Sequence, residues 1–207
     1  MKRVLKMLDQ RKDLQTILNY IEEGSRVLDI GCGDGSLLYT LKKTKNIQAF
    51  GLEIDEEKIA ECVSKGLSVI QYDLNKGLPD YQDKAFDFII LSQTLQQVAR
   101  PDEAIKEVVR VGKKAIVSVP NFGFWKCRFD IMFRGITPVT KALPHMWYNT
   151  PNLRVLTIKD FYDFCNTMGI RVIKTIPLAS TNGDIKKVIT WLPNLRADYC
   201  IFMLEAK

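Results

Sequence analysis

The chain is 207 residues long, 46% apolar and 26% charged, with 12 Gly, 8 Pro, 5 Cys and a formal net charge of +6. Length and apolar content suit one globular domain; ordinary charge and the absence of a low-complexity tract argue against a disordered or fibrous chain. The positive excess points to an anionic partner without saying which.

That excess is uneven. Residues 1–115 carry 18 basic and 18 acidic side chains, whereas residues 116–207 carry 12 and 6, so all of it belongs to the second half. The longest uncharged stretches, Phe88–Ala99 and Ala142–Leu153, are twelve residues each, short of the ~20 a spanning helix needs. Met1–Lys6 is basic but charge returns at Asp9, so no export signal is read and a cytoplasmic chain with no membrane contact is expected. Five scattered cysteines without a CxxC pair argue against a disulfide framework or a metal site.

Apolar residues at Leu14, Ile17, Leu18 and Ile21 predict an amphipathic helix that ends before Gly24. Arg26–Ile30 reads as a buried strand, followed by a glycine turn and a helix through Leu37, Leu38 and Leu41. A strand over Ile47–Ile54, a helix capped by Asp55, and strands at Ser68–Gln71 and Phe86–Leu91 come next. Pro101, Asp102 and Glu103 open another helix, and Ala115–Val119 is a fifth strand. This alternation predicts an α/β, Rossmann-like, doubly wound and mostly parallel sheet with helices on both faces. The pattern breaks over residues 121–157, which are rich in aromatics and hold one helix-like piece near Trp125–Arg134. A helix at Ile158–Met168 and strands at Arg171–Pro177 and Tyr199–Leu204 complete the chain. The expected organisation is one domain over residues 1–207, with 121–157 as an insertion or lid.

In a parallel sheet, ligands collect at the carboxyl ends of the strands. The first such end is Leu28–Gly35, with glycines at positions 31, 33 and 35 where backbone can approach a ligand closely. A dinucleotide fingerprint would want a small third residue at position 36, but Ser36 stands there and the glycine is one residue earlier. Asp29 precedes the turn; it would repel a pyrophosphate and favour a ligand bearing an amine and a sulfonium. The pattern therefore suits S-adenosylmethionine better than NAD. Glu53 ends the second strand, where a carboxylate can accept both ribose hydroxyls, a placement NAD enzymes share. Asp73 and Leu74 follow the third strand on the adenine side, and Ser92 and Gln93 end the fourth under the methionine end.

Val27–Gly35, Gly51–Ile54 and Phe86–Ile90 resemble the motifs of class I S-adenosylmethionine-dependent methyltransferases over about residues 25–120. The resemblance implies Asp29, Gly31, Gly33 and Gly35 around the methionine portion, with Cys32 inside that turn. It also implies Glu53 and Ile54 at the ribose end, Asp73 near the adenine, and a seven-stranded sheet whose last strand is antiparallel. A narrower likeness covers nearly the whole chain. Leu91–Gln96, Arg100–Glu103, Val117–Gly123, Pro138–Pro144 and Trp147–Asn152 resemble the MetW family of methionine biosynthesis. Membership implies partnership with a homoserine O-acyltransferase of the MetX type.

Two functions of different class follow from that resemblance. One is methyl transfer to a small-molecule acceptor, leaving S-adenosylhomocysteine; the other is a non-catalytic accessory role beside the acyltransferase. Asn121, His145 and Tyr148 are the candidates on the acceptor side, although His145 better fits a surface or loop-packing histidine and Asn121 equally fits a residue that holds the turn after Pro120. A nucleic-acid methyltransferase is the least favoured reading, because the Asn-Phe-Gly-Phe segment lacks the Pro-Pro of that motif and follows the wrong strand. The aromatics of 122–148 are expected to be core, with their charges solvated.

Overall fold

The computed structural model describes residues 12–180 and 186–206; the basic start Met1–Lys6 lies outside them. One sheet runs in the order β3-β2-β1-β4-β5-β8-β6-β7. Its strands are β1 (Arg26–Ile30), β2 (Gln48–Glu53), β3 (Ser68–Gln71), β4 (Phe86–Ser92), β5 (Gly112–Pro120), β6 (Ile170–Ser180), β7 (Lys186–Val188) and β8 (Tyr199–Ala206). The first five are mutually parallel, and β8 inserts antiparallel between β5 and β6. The seven strands expected from the sequence are thus present, with the last one antiparallel. A three-residue edge strand, β7, is added; at that length it carries no readable periodicity.

Side chains alternate across the sheet. In β1, Val27 joins the core under α1 (Lys12–Leu18) and α2 (Ser36–Lys45), while Leu28 and Ile30 join the core under α4 (Pro101–Val111) and α6 (Ile158–Thr167). Helix α3 (Glu56–Ser64) contributes Cys62 to the first core and is capped by Asp55, which accepts from the Glu57 and Lys58 amides at 3.0 and 3.3 Å. Thr157 caps α6 through a reciprocal pair with Asp160. No helix among the described residues is long and apolar enough to cross a membrane.

The stretch between β3 and β4 is held by one arginine. Arg110 forks onto both oxygens of Glu107 at 2.8 and 2.7 Å and also donates to the carbonyls of Leu78 and Tyr81 and to Asp83. Those Arg110 bonds hold the Glu107 carboxyl below its ordinary value of 4.5, outweighing a partial burial that acts the other way. A depressed carboxyl contributes stability that is complete above the unfolded-state value and is lost as pH falls through the folded one. The urea midpoint is therefore expected to drop on acidification below about pH 4.5, and to drop less in Glu107→Gln. Equal slopes in the two proteins would contradict this.

One expectation fails. Trp125, Phe129, Phe133, Trp147 and Tyr148 are exposed rather than core. For the first three the cause lies in α5 (Trp125–Arg134), which buries only Cys127 and Asp130; Trp147 and Tyr148 lie on the loop after it, outside any helix or strand.

Candidate functional site

The chain leaves β1 through a turn in which Gly31, Gly33 and Gly35 all have positive φ, at +72°, +57° and +73°. Two of these positions are closed by packing. A Cβ on Gly31 would lie 2.5 Å from the Thr94 hydroxyl, and one on Gly35 would lie 2.5 Å from Leu67 and 2.7 Å from the Cys62 sulfur. Gly33 differs, because a Cβ there would meet nothing within 4 Å. With Gly31, Glu53, Asp73 and Gln93 it lines a cavity of about 370 Å³.

Glu53, at the end of β2, knits this turn to the next helix. Its Oε2 accepts from the Gly33 amide at 2.7 Å, and its Oε1 accepts from the Ile54 and Asp55 amides at 2.8 and 3.2 Å. Three of the roughly four acceptor positions of a carboxylate are thus already used, so two ribose hydroxyls would compete with backbone for Glu53. Asp34 completes the turn. Burial acts to raise its carboxyl, but the Ser36 hydroxyl, Lys65 and the Ser36 amide together hold it below the usual range.

The far wall comes from the end of β4. Gln93 has φ +58°, a left-handed conformation uncommon for a residue with a side chain. Its amide donates to the Ser118 carbonyl and hydroxyl at 3.0 and 3.1 Å, and its carbonyl accepts from the Gln96 and Gln97 side chains at 2.8 and 3.1 Å. Gln96 also fastens a distant segment, since its backbone carbonyl accepts from the Leu153 and Arg154 amides at 2.8 and 3.0 Å. Its own Oε1 is buried without a hydrogen-bond partner among the described residues. The uncrowded Gly33 and the polar side chains of Glu53, Asp73, Ser92 and Gln93 on the same wall fit a polar ligand in this cavity.

The structure brings Gly31, Gly33, Glu53, Ile54, Asp73, Leu74, Ser92, Gln93 and His145 to the cavity wall. Asp29, Cys32, Gly35, Asn121 and Tyr148 are not part of it. Asp29 is buried within β1, and Cys32 sits 4.0 Å from the Cys62 sulfur as a free thiol, pushed up in pKa by burial and by Asp29. Tyr148 is exposed and rests edge-on against Trp147. Asn121 is buried, and all of its side-chain bonding goes to protein: its amide nitrogen donates to the Asn194 and Ala197 carbonyls, and its oxygen accepts from the Gly123 and Ile158 amides. Of its two readings, the turn-holding one is what the structure displays. Thr94, Gln96, Lys58 and Asn152 line the cavity but were not read from sequence as site residues. Thr94 and Gln96 did stand inside the Leu91–Gln96 motif, where their value as family marks hid their position.

Comparison with known proteins now bears on this geometry. A family model described as Methionine biosynthesis protein MetW matches residues 11–204. The chain belongs to the MetW family. It is 37% identical over 167 residues to the bifunctional methionine biosynthesis protein MetXA/MetW of Rhodopirellula baltica, a match covering 76% of this chain and 27% of that protein. It thus spans little more than a quarter of that relative. Among solved structures it resembles a methyltransferase from Thermotoga maritima, described as a possible histamine N-methyltransferase, with TM-score 0.71, 20% identity and coverage of 97% and 88%. It also resembles magnesium protoporphyrin IX methyltransferase from Synechocystis with bound SAH, with TM-score 0.65, 16% identity and coverage of 99% and 86%. These structural likenesses establish the S-adenosylmethionine-dependent methyltransferase fold. From the MetW-type segments Pro138–Pro144 and Trp147–Asn152, Ala142, Pro144, Pro151 and Asn152 line the cavity, with His145 between the two.

Proposed function

We propose that this MetW-family chain binds S-adenosylmethionine in the cavity at the carboxyl ends of β1, β2 and β4, and serves methionine biosynthesis in association with a homoserine O-acyltransferase. The observation that carries the ligand assignment is Gly33, left-handed, free of neighbours on its Cβ side and bonded through its amide to Glu53. Glu53 would hold the ribose, Asp73 and Leu74 the adenine side, and Gly31 with Gln93 the methionine side. Asp29, two residues before Gly31, would favour the amine-bearing end by charge. S-adenosylmethionine would supply an activated methyl group when bound. The fused MetXA/MetW relative supports the association.

At about 370 Å³ the cavity lies near the low end of the range of ligand sites. One reading is an accessory role in which the bound ligand reports methionine status. A second reading, methyl transfer to a small acceptor, rests on His145 and Asn152, polar wall that the cofactor contacts leave unused. The segment 121–157 is read as an insertion of the same domain that lids the cavity.

A paired assay tests the function. Homoserine acylation is measured with and without this chain, each with and without S-adenosylmethionine. The chain is expected to change the acylation rate, and the ligand to modulate that change. An acylation rate indifferent to the chain would reject the association.

A further inference from the structure

Helix α5 is built inside out. Trp125, Phe129, Met132 and Phe133, with Ile136 just past its end, recur at i, i+4, i+7, i+8 and i+11, the spacing of a core-facing stripe. All five are exposed, Met132 at 77% and Phe133 at 69%, whereas Asp130 on the opposite side is 3% exposed and bonded to Arg134 at 2.9 Å. Burying an acid while presenting three aromatic rings to water is the reverse of what a free helix stabilises. The stripe leaves on the order of 600 Å² of apolar side chain uncovered, at the upper limit for a patch on a monomeric protein.

Charge says what could cover it. Across residues 121–157 the single acid is Asp130, against Lys126, Arg128, Arg134, Lys141 and Arg154. With Asp130 buried and paired to Arg134, Lys126 and Arg128 are the charges of α5 itself left without an ion pair among the described residues, and they complement a partner with an acidic surround. After Ile136 the chain runs through Ala142, Pro144 and His145, which line the cavity, to Met146, Trp147 and Tyr148, which are exposed. A partner seated on both α5 and Met146–Tyr148 would hold the two ends of a segment that forms part of the cavity wall.

We propose that the outward face of α5, together with Met146–Tyr148, is the surface on which the homoserine O-acyltransferase docks, through an apolar recess bordered by acidic side chains. This rests on the association proposed above. In the fused relative the two proteins share one chain, which keeps such a contact at high effective concentration. Because Ala142, Pro144 and His145 lie between the two stretches in the chain and line the cavity, docking there would couple the partner to the cavity wall.

The test titrates the acyltransferase of the same organism, by calorimetry, into the wild-type chain, a Met132→Glu/Phe133→Glu variant and a Lys126→Glu variant. Wild type is expected to form a complex, and the double variant to lose at least about thirtyfold in affinity. Lys126→Glu should lose less, with a weaker salt dependence than wild type. Both variants should keep the wild-type thermal midpoint and S-adenosylmethionine affinity, because none of these residues contacts core or cavity. Variants that bind the acyltransferase as wild type does would overturn the surface alone. No wild-type complex would overturn the association and the surface with it. The surface assignment also fails if sedimentation shows the chain alone to be a homodimer that the double variant dissolves, or if the double variant loses affinity only for a single-stranded oligonucleotide.

Discussion

Asn121→Ala is expected to lower the thermal midpoint by about 10 °C. The side chain is buried where β5 ends, and its four hydrogen bonds join three parts of the chain: the carbonyls of Asn194 and Ala197 in and just after α7 (Pro193–Arg196), the amide of Gly123, and the first amide of α6 at Ile158. Truncation leaves two buried donors, one buried acceptor and the part-buried Asn194 carbonyl without this partner, and each buried loss costs about 1–3 kcal/mol. Partial relaxation brings the total to roughly 3–4 kcal/mol, and a chain of this size loses about 2–4 °C per kcal/mol. Relaxation is restricted, because even a Cβ on Gly123 would lie 2.8 Å from the Asn194 carbonyl. Scanning calorimetry of the two proteins measures the difference. A midpoint within about 2 °C of wild type would contradict the structural role and reopen Asn121 as a substrate contact.

Glu53→Ala is expected to weaken S-adenosylmethionine binding by about a hundredfold. The carboxylate acts twice. It fixes the glycine turn and the start of α3 through the Gly33, Ile54 and Asp55 amides, and it offers acceptor capacity to the ribose. Losing a charged acceptor is worth roughly 2–3 kcal/mol, the source of that factor. Gly33→Ala separates the two contributions. Its Cβ would strike no protein atom, so the stability cost is only the ~1–2 kcal/mol of a left-handed residue, while the change falls on a residue that lines the cavity. Weak binding in Gly33→Ala with a midpoint close to wild type is the expected signature. Unchanged affinity in both variants, measured by calorimetric titration, would remove the site from this cavity.

Much of the scaffold was legible because its residues obey local rules. Arg26–Ile30, Ser68–Gln71 and Trp125–Arg134 have the bounds their sequence announces. Asp55 and Pro101 mark helix starts by capping chemistry that needs no tertiary information. The glycine turn was readable for the same reason, since backbone at positive φ selects glycine. What escaped depends on contacts between distant segments. Gln96 joins the site through a backbone carbonyl that fastens Leu153 and Arg154, and nothing in its own neighbourhood announces that. Gln93 is left-handed because Ser118, Gln96 and Gln97 bind its peptide groups, not because of its residue type. Helix α5 has the bounds its sequence announces, yet its aromatics are exposed and not core, because apolar periodicity reports a face without saying whether this chain or another covers it.

The most direct measurement is calorimetric titration of the purified wild-type chain with S-adenosylmethionine. One saturable site that Glu53→Ala weakens about a hundredfold is the expected result. No heat of binding up to millimolar ligand would contradict the assignment of the cavity.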